Sequence, residues 1–208
     1  MQSLRTWITQ QQADLTHWLQ YLVEINTYTA NVQGVDAGMD ALCRLAENLG
    51  LTAETVQGRH RLIRSGGNAG PRILLVAHMD TVHPPDDDFQ HYEPQADGYI
   101  RGPGIGDIKG GLLMGLWTVK ALQMLHPQAD VCLVVSADEE IGSPTIQPWY
   151  LQGLHGAHYA IGLEPGFPQG PLQPSVTMGF VEQRKGCGRV HFTVRGQAAT
   201  RVGPGSRA

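Results

Sequence analysis

The sequence predicts an α/β protein in which a mostly parallel sheet is flanked by helices, and two patterns support this fold class. Unbroken apolar runs, typical of strands covered on both faces, occur at Ile73–Ala77, Val131–Val135 and Tyr159–Leu163. Between the first two runs, apolar residues recur at helical spacing from Asp107 to Leu125. Strands that alternate with helices in this way form parallel sheets through right-handed crossovers.

The flanking segments follow from the same periodicities. A helix is predicted over about Ser3–Asn26, and a second over Ala37–Leu49, which Gly50 ends as a C-terminal cap. LTAETV and HRLIRS are predicted to be short strands, and GGNAGP before Arg72 a turn. Another short helix is expected around Ile146–Leu154, before the third apolar run.

The composition changes after Pro165, which indicates a second structural unit. Proline and glycine are dense in PGFPQGPLQP, and SVTMGFVEQ and GRVHFTVRG then resemble strands. We therefore expect residues 1–185 to form the main domain and residues 186–208 the start of a β-rich one.

Composition and charge exclude several classes of protein. The chain has 208 residues, 41% of them hydrophobic, and a formal net charge of −4 without a long basic run, which disfavours nucleic-acid binding. No stretch is apolar for long enough to cross a bilayer, and the amphipathic N-terminus lacks the pattern of a secretory signal. The three cysteines neither pair evenly nor have zinc-knuckle spacing, and Cys132, within an apolar run, is expected to be buried. A cytoplasmic protein without membrane or nucleic-acid partners is the simplest interpretation.

Acidic and histidine side chains stand where the three apolar runs end. His78 and Asp80 follow the first run, Glu139 and Glu140 the second, and Glu164 the third. Open α/β sheets bind ligands at the carboxyl ends of their strands. One imidazole among several carboxylates suits zinc, cobalt or manganese in a shared two-metal site. The sequence therefore predicts a divalent-metal site and hydrolytic chemistry at this edge of the sheet.

Each of these motifs also has a simpler structural interpretation. His78 and Asp80 lie two residues apart and so face the same side of a strand, where Asp80 could accept from one ring nitrogen while the other binds metal. The alternative is a surface histidine near a turn. Asp138, Glu139 and Glu140 could combine a metal ligand with a general base, or form a solvated acidic loop.

Asp107, in GPGIGDIKGG, has two interpretations that the sequence leaves open. It could cap the N-terminus of the following helix, as aspartate commonly does. It could instead be a carboxylate that bridges two metals, because the surrounding glycines allow the backbone to approach a ligand closely. The same carboxylate would repel a pyrophosphate, which disfavours dinucleotide binding at this glycine-rich segment. No GxSxG, P-loop or CxxC motif supports a rival chemistry.

HMDTV, GPGIGDIKGG, DEEIGS and GLEP resemble, in order and spacing, the motifs of the M20 metallopeptidases. This family includes glutamate carboxypeptidase, aminoacylase and succinyl-diaminopimelate desuccinylase, and the resemblance covers roughly Leu19 to Ala199. It implies a zinc-exopeptidase-like sheet, an inserted lid or dimerisation domain, and cleavage of an amide bond in a small peptide or N-acyl amino acid. Glutamate at position 164 resembles the carboxypeptidase and deacylase branches more than the dipeptidase branch.

The resemblance also implies roles for individual residues. His78 and Glu164 would bind one of two divalent metal ions, zinc or alternatively cobalt or manganese, and Glu140 would bind the other. Asp107 would bridge both ions. Glu139 and Asp80 would be the catalytic residues, the first as general base and the second as the group that orients His78. A homodimer is expected for full-length members of the family.

The chain also departs from the family pattern. The family's second metal takes a histidine near the end of a chain about twice as long, and Thr200 stands where the inserted domain has a substrate-binding histidine. Deleting one base from CAC-GCG-GGT, which encodes His-Ala-Gly, gives codons for the Thr-Arg-Val at residues 200–202. We therefore hypothesise a frameshift or a sequencing slip after Ala199. The alternative function is an inactive, truncated fragment that binds metal weakly and does not catalyse.

Overall fold

The computed structural model describes residues 4–168, 178–179, 181–182, 191–193 and 195–196. The chain divides into one compact unit up to Pro165 and a second from Gly166 onward. The helices are α1 (Leu4–Gln10), α2 (Gln12–Val23), α3 (Val32–Asn48), α4 (Gly110–Leu125) and α5 (Gln147–Leu151). The strands of the first unit are β1 (Thr52–Val56), β2 (His60–Arg64), β3 (Ala69–His78), β4 (Glu93–Pro94), β5 (Ile100–Arg101), β6 (Ala129–Ser136) and β7 (Tyr159–Gly162).

A five-stranded sheet in the order β1-β2-β6-β3-β7 forms the centre of the first unit. β6, β3 and β7 are parallel, as the alternation of strands and helices predicts. β2 pairs antiparallel with β6 and carries β1 at the edge. β1 and β2 are antiparallel because only three residues connect them and a parallel crossover needs many more. The fold is therefore α/β with a mixed, mostly parallel central sheet.

Helices cover both faces of this sheet. α2, α3 and α4 bury the larger apolar cluster against it, including Leu42, Leu116 and Leu133. On the opposite face, Trp149 of α5 packs in a smaller cluster with Cys132, which is buried as expected. Strands covered on both faces explain why the central runs are apolar without alternation.

Several element boundaries differ from the expected ones for local reasons. The first helix is broken at Gln11 into α1 and α2. α3 begins at Val32, because the Asn31 side chain accepts a hydrogen bond from the Gly34 amide at 3.1 Å and caps the helix. The predicted turn before Arg72 is partly strand, since Ala69 already pairs with Ala129 across an irregularity in β3. The β4–β5 hairpin was not predicted.

The helix expected from Asp107 begins three residues later. Asp107 and Ile108 have non-helical backbone angles in a kinked segment, and α4 starts at Gly110. Asp107 is therefore not the N-cap of α4; that position belongs to Lys109. The helix expected around Ile146 is α5 followed by a 3-10 turn at Gly153–Gly156.

In the second unit, β8 (Phe167–Pro168) pairs with β9 (Met178–Gly179), which lies within the predicted strand SVTMGFVEQ. Only residues 191–193 and 195–196 of the predicted strand GRVHFTVRG are described, and these have no strand assigned. The proposed boundary at residue 186 and Thr200 both lie outside the described residues. Among the described residues, every helix is too short or too polar to cross a membrane.

Candidate metal centre

The carboxyl ends of three parallel strands bring the predicted site residues to one edge of the sheet. His78 is the last residue of β3 and pairs with Ser136 at the end of β6. Glu139 and Glu140 lie in a 3-10 turn just beyond β6. Glu164 follows the end of β7, whose Gly162 pairs with Val76 of β3. The parallel register thus places residues that are distant in the sequence beside one another.

His78 lies at the floor of this site, with only 1% of its surface exposed. Its Nε2 atom is 3.0 Å from Asp107 Oδ1 and 3.3 Å from Glu164 Oε1. Glu139 Oε2 is 3.8 Å from the same nitrogen. The side chains of these three acids are 45–59% exposed, so the buried imidazole faces a ring of carboxylates that solvent can reach.

The other ring nitrogen of His78 contacts Asp80. Nδ1 lies 3.0 Å from the main-chain oxygen of Asp80 and 3.4 Å from its carboxylate Oδ1. Because both of these oxygens accept hydrogen bonds, Nδ1 carries a proton and Nε2 is the atom turned toward the acids. The main-chain oxygen is the closer contact, a feature that sequence reasoning could not anticipate.

The Asp80 carboxylate holds the acidic turn that follows β6. It is fully buried, and accepts hydrogen bonds from the Glu139 amide at 3.0 Å and the Glu140 amide at 3.2 Å. The Thr29 hydroxyl donates a third bond at 2.8 Å. Although burial opposes ionisation, hydrogen bonds from His78, Thr29 and the Glu139 amide lower the pKa of Asp80. Asp80 therefore joins His78 to the turn that carries Glu139 and Glu140.

Asp107 lies in the kinked segment before α4, and the peptide bond that follows it is cis. Lys109 anchors this segment from inside: its buried Nζ donates to the main-chain oxygens of Leu22, at 2.9 Å, and Ile25, at 3.1 Å, at the end of α2. Burial lowers the pKa of Lys109 to about 7. Sequence reasoning did not identify this lysine, because its partners are main-chain atoms of a distant helix.

Gly111 allows the start of α4 to lie against the chain that leads into Glu164. A Cβ atom at Gly111 would overlap the main-chain oxygen of Leu163. Gly111, the second of the two glycines after Asp107, therefore serves close packing of the helix. This contact brings the segment of Asp107 and the end of β7 together.

The described residues contain two groups of potential metal-ligand atoms, and within each group the atoms lie within 4.8 Å of one another. One consists of His78, Asp107 and Glu140, and the other of His78, Glu139 and Glu164. Imidazole nitrogen with carboxylate oxygen is a donor set that suits zinc, cobalt and manganese. The residues present therefore fit divalent cations.

The crowding of acids raises their affinity for protons. Burial and then the nearby Asp107 raise the pKa of Glu140 to about 7. Burial also raises the pKa of Glu139 and, together with Glu164, that of Asp107. For His78, burial opposes protonation, but hydrogen bonds to Asp80 and Glu164 raise its pKa to about 10. A divalent cation in this site would neutralise the carboxylates in place of these protons and would displace them.

We expect the metal-free chain to lose stability as the pH rises. The pKa of Glu140 increases from 4.5 to about 7, and that of His78 from 6.5 to about 10. A group whose pKa is raised by folding stabilises the folded state below its unfolded pKa, and this contribution is lost as the pH passes the folded value. The decline should therefore run from about pH 4.5 to about pH 7. Above pH 7 the continuing loss from His78 is offset by Lys109, whose pKa folding lowers from 10.5 to about 7, so that its contribution to stability rises with pH.

Divalent zinc should restore the lost stability, and by more at high pH. Thermal unfolding of chelator-treated and zinc-loaded chain at about pH 6 and about pH 8.5 would measure the effect. An increase in Tm on adding zinc that is equal at both values would contradict this linkage.

Comparison with known proteins decides the family. Residues 74–202, more than half of the chain, match the model of peptidase family M20/M25/M40. The chain belongs to this family. The match includes every residue predicted for the site, from His78 to Glu164. M20 proteins are metal-dependent peptidases, in agreement with the donor set at the strand ends.

Individual relatives support the same assignment. The chain is 29% identical to carboxypeptidase G2 of Pseudomonas sp. strain RS-16 over 170 residues, which are 76% of this chain and 40% of that protein. It is 29% identical over 107 residues to succinyl-diaminopimelate desuccinylase of Bordetella petrii, covering 48% of this chain and 28% of the relative. The chain thus spans less than half the length of either relative.

The fold is shared with solved structures of the M20 family. A metallo-carboxypeptidase from Sulfolobus solfataricus superposes with a TM-score of 0.59 at 23% identity, over 73% of this chain and 37% of that one. At this identity the likeness supports the fold alone. It confirms the predicted family architecture of a mostly parallel sheet flanked by helices.

Proposed function

We propose that this chain is the metal-binding part of a hydrolase that cleaves an amide bond in a small peptide or an N-acyl amino acid. One observation carries the proposal. At one edge of the sheet, a buried imidazole meets four carboxylates, which come from the ends of the strands and from the kinked segment before α4. The similarity to a carboxypeptidase and a desuccinylase, which both act on amide bonds, supports the substrate class.

Two divalent ions, zinc or alternatively cobalt or manganese, are proposed for the site. His78 and Glu164 would hold one ion, Glu140 the other, and Asp107 both. When bound, such ions polarise a substrate carbonyl and lower the pKa of water. The 3.0 Å contact of Asp107 with His78 and the grouping of both residues with Glu140 support a bridging position for Asp107.

Glu139 is proposed as the general base. Its carboxylate lies 3.8 Å from His78 Nε2 and is 47% exposed, so water has access to it beside the proposed metal ligands. It would accept a proton from the attacking water and return that proton to the nitrogen of the leaving amine. Burial raises the pKa of Glu139, which suits a group that must both take up and release a proton. Asp80 would keep His78 and the acidic turn in place.

Two further features of the proposal concern the remainder of the protein. Residues 1–185 would form the catalytic domain, and residues 186–208 would begin a lid or dimerisation domain. A homodimer is proposed for the whole protein on the basis of family membership. Sedimentation of the whole protein at several concentrations would test the dimer, since a monomer at all of them would contradict it.

Metal content and hydrolysis together test the function. The chain would be stripped with chelator, reconstituted with zinc, and assayed with peptides ending in glutamate and with N-succinyl and N-acetyl amino acids. We expect two bound ions per chain and hydrolysis that chelator abolishes and zinc restores. Hydrolysis that is indifferent to chelator would contradict the metal-dependent mechanism. One weakly held ion without hydrolysis would favour the alternative, a metal-binding chain that does not catalyse.

A further inference from the structure

A fully buried histidine lies behind the acidic turn, outside the metal centre. His60, the first residue of β2, is 0% exposed. Its Nδ1 atom is 3.0 Å from the main-chain nitrogen of Ala137, and its Nε2 atom is 2.9 Å from the Thr145 hydroxyl. Neither partner belongs to the proposed ligands. The contacts of the ring are therefore separate from those of the metal centre.

The partners of His60 fix the positions of its protons. The Ala137 amide can only donate, so Nδ1 accepts and the proton of the neutral ring is on Nε2. Nε2 then donates to the Thr145 oxygen, and the Thr145 hydroxyl donates to Asp138 Oδ2 at 2.6 Å. The Thr145 amide donates to the same Asp138 oxygen at 2.8 Å. These bonds form one directed chain from Ala137 through His60 and Thr145 to Asp138.

This chain of hydrogen bonds requires a neutral imidazole. An imidazolium would carry protons on both nitrogens, and its Nδ1 proton would face the Ala137 amide proton. Burial lowers the pKa of His60, and Arg59 and Arg61 lower it further, while Asp138 and Asp80 oppose the shift. The charges around the ring and the geometry of its partners thus agree.

This series of hydrogen bonds starts at Ala137 and finishes at Asp138, the two residues that lead into the acidic turn. Ala137 and Asp138 immediately precede Glu139 and Glu140. On the other side of the turn, the amides of Glu139 and Glu140 donate to Asp80. The turn is therefore held from two strands, by Asp80 beyond β3 and by His60 on β2.

We propose that His60, acting through Ala137, Thr145 and Asp138, is a positioning residue that sets the direction of Glu139 and Glu140 in the metal centre. The inference deepens the proposed function and rests on it for the role of these two acids. The positions of the hydrogen bonds, however, can be measured without any metal.

Thr145 offers the matched pair of substitutions for a test. Thr145→Val keeps the shape of the side chain and removes the hydroxyl that joins His60 to Asp138, whereas Thr145→Ser keeps the hydroxyl. Leu62→Ala, a core truncation on the same strand as His60, controls for general loss of stability. Three quantities would be measured: the ¹⁵N shifts of the His60 ring, hydrogen exchange at the Glu139 and Glu140 amides, and the affinity for Co²⁺ with its visible absorption spectrum.

The wild-type ring should be neutral with its proton on Nε2. Thr145→Val should speed exchange at the two amides and reduce Co²⁺ affinity about 10- to 100-fold with an altered spectrum, the range expected when a supporting contact of a metal ligand is lost. Thr145→Ser should restore both properties, and Leu62→Ala should leave the Co²⁺ spectrum unchanged.

The results separate this inference from the proposed function. A ring protonated on Nδ1 at neutral pH, or unchanged exchange and Co²⁺ affinity in Thr145→Val, would overturn the positioning role of His60 while wild-type metal binding still stood. Faster exchange in Thr145→Val, combined with no Co²⁺ binding by the wild type, would overturn the metal centre and leave His60 as the residue that positions the turn. If Thr145→Val does not fold, the tautomer of the wild-type ring still tests the hydrogen bonds on which the proposal rests, and a proton on Nδ1 would overturn it.

Discussion

Asp107→Asn is expected to remove tight binding of divalent metal. Asp107 Oδ1 lies 3.0 Å from His78 Nε2, and Asp107 shares one ligand group with His78 and Glu140. Loss of an outer-shell contact already costs about 10- to 100-fold in metal affinity, so loss of a bridging ligand should cost more. Because 59% of the side chain is exposed, the amide should fit without disturbing the core.

Calorimetric titration with Zn²⁺ at constant pH would measure this loss. Asp14→Asn, an equal change of charge at an exposed position on α2, is the matched control and should bind zinc as the wild type does. The thermal stability of metal-free Asp107→Asn should equal or exceed that of the wild type, since one member of a crowded acidic group is neutralised. Wild-type zinc affinity in Asp107→Asn would contradict a bridging role.

Glu139→Gln should lower kcat strongly while the chain keeps its metal. The glutamine side chain has the same shape as glutamate but cannot accept a proton from water. The main-chain amide of residue 139 keeps its hydrogen bond to Asp80. General acid–base catalysis contributes about 10²- to 10⁴-fold, so kcat should fall by that factor with little change in KM. The distinction matters, because Glu139 also lies in one of the two potential ligand groups.

Metal stoichiometry and kcat measured on the same preparation would separate the two roles of Glu139. Glu47→Gln, at an exposed position of α3, is the control for the change of charge. If Glu139→Gln lost a metal ion together with activity, Glu139 would be a ligand. If it retained full activity, the proposed mechanism would be wrong.

Much of the fold could be predicted because the informative patterns are local. The apolar runs Ile73–Ala77 and Val131–Val135 lie within β3 and β6, since strands covered on both faces must be apolar throughout. The run Tyr159–Leu163 overlaps β7, but β7 lies at the edge of the described sheet and its four residues are exposed rather than covered. The kink at Asp107 was missed because the helical spacing of apolar residues continues through it. The β4–β5 hairpin, of two residues per strand, carries too short a pattern to detect.

For the site, the sequence alone determined the residue types and their places. An imidazole and carboxylates after successive apolar runs indicate a metal-binding edge, because parallel strands bring their carboxyl ends together. The same motifs were sufficient for the family, which the comparisons confirmed. These inferences needed only the residues that adjoin each apolar run and the rule that parallel strands place their carboxyl ends at one edge of the sheet.

The tertiary structure decided which atoms meet. It showed that His78 presents Nε2 to the acids, that the Asp80 carboxylate holds the acidic turn, and that Lys109 anchors the segment of Asp107. It also placed His60 of β2 behind the residues that follow β6. Each contact depends on the register between strands or on a main-chain atom of a distant element. No pattern of side-chain types records such geometry, because it arises only when the sheet has formed.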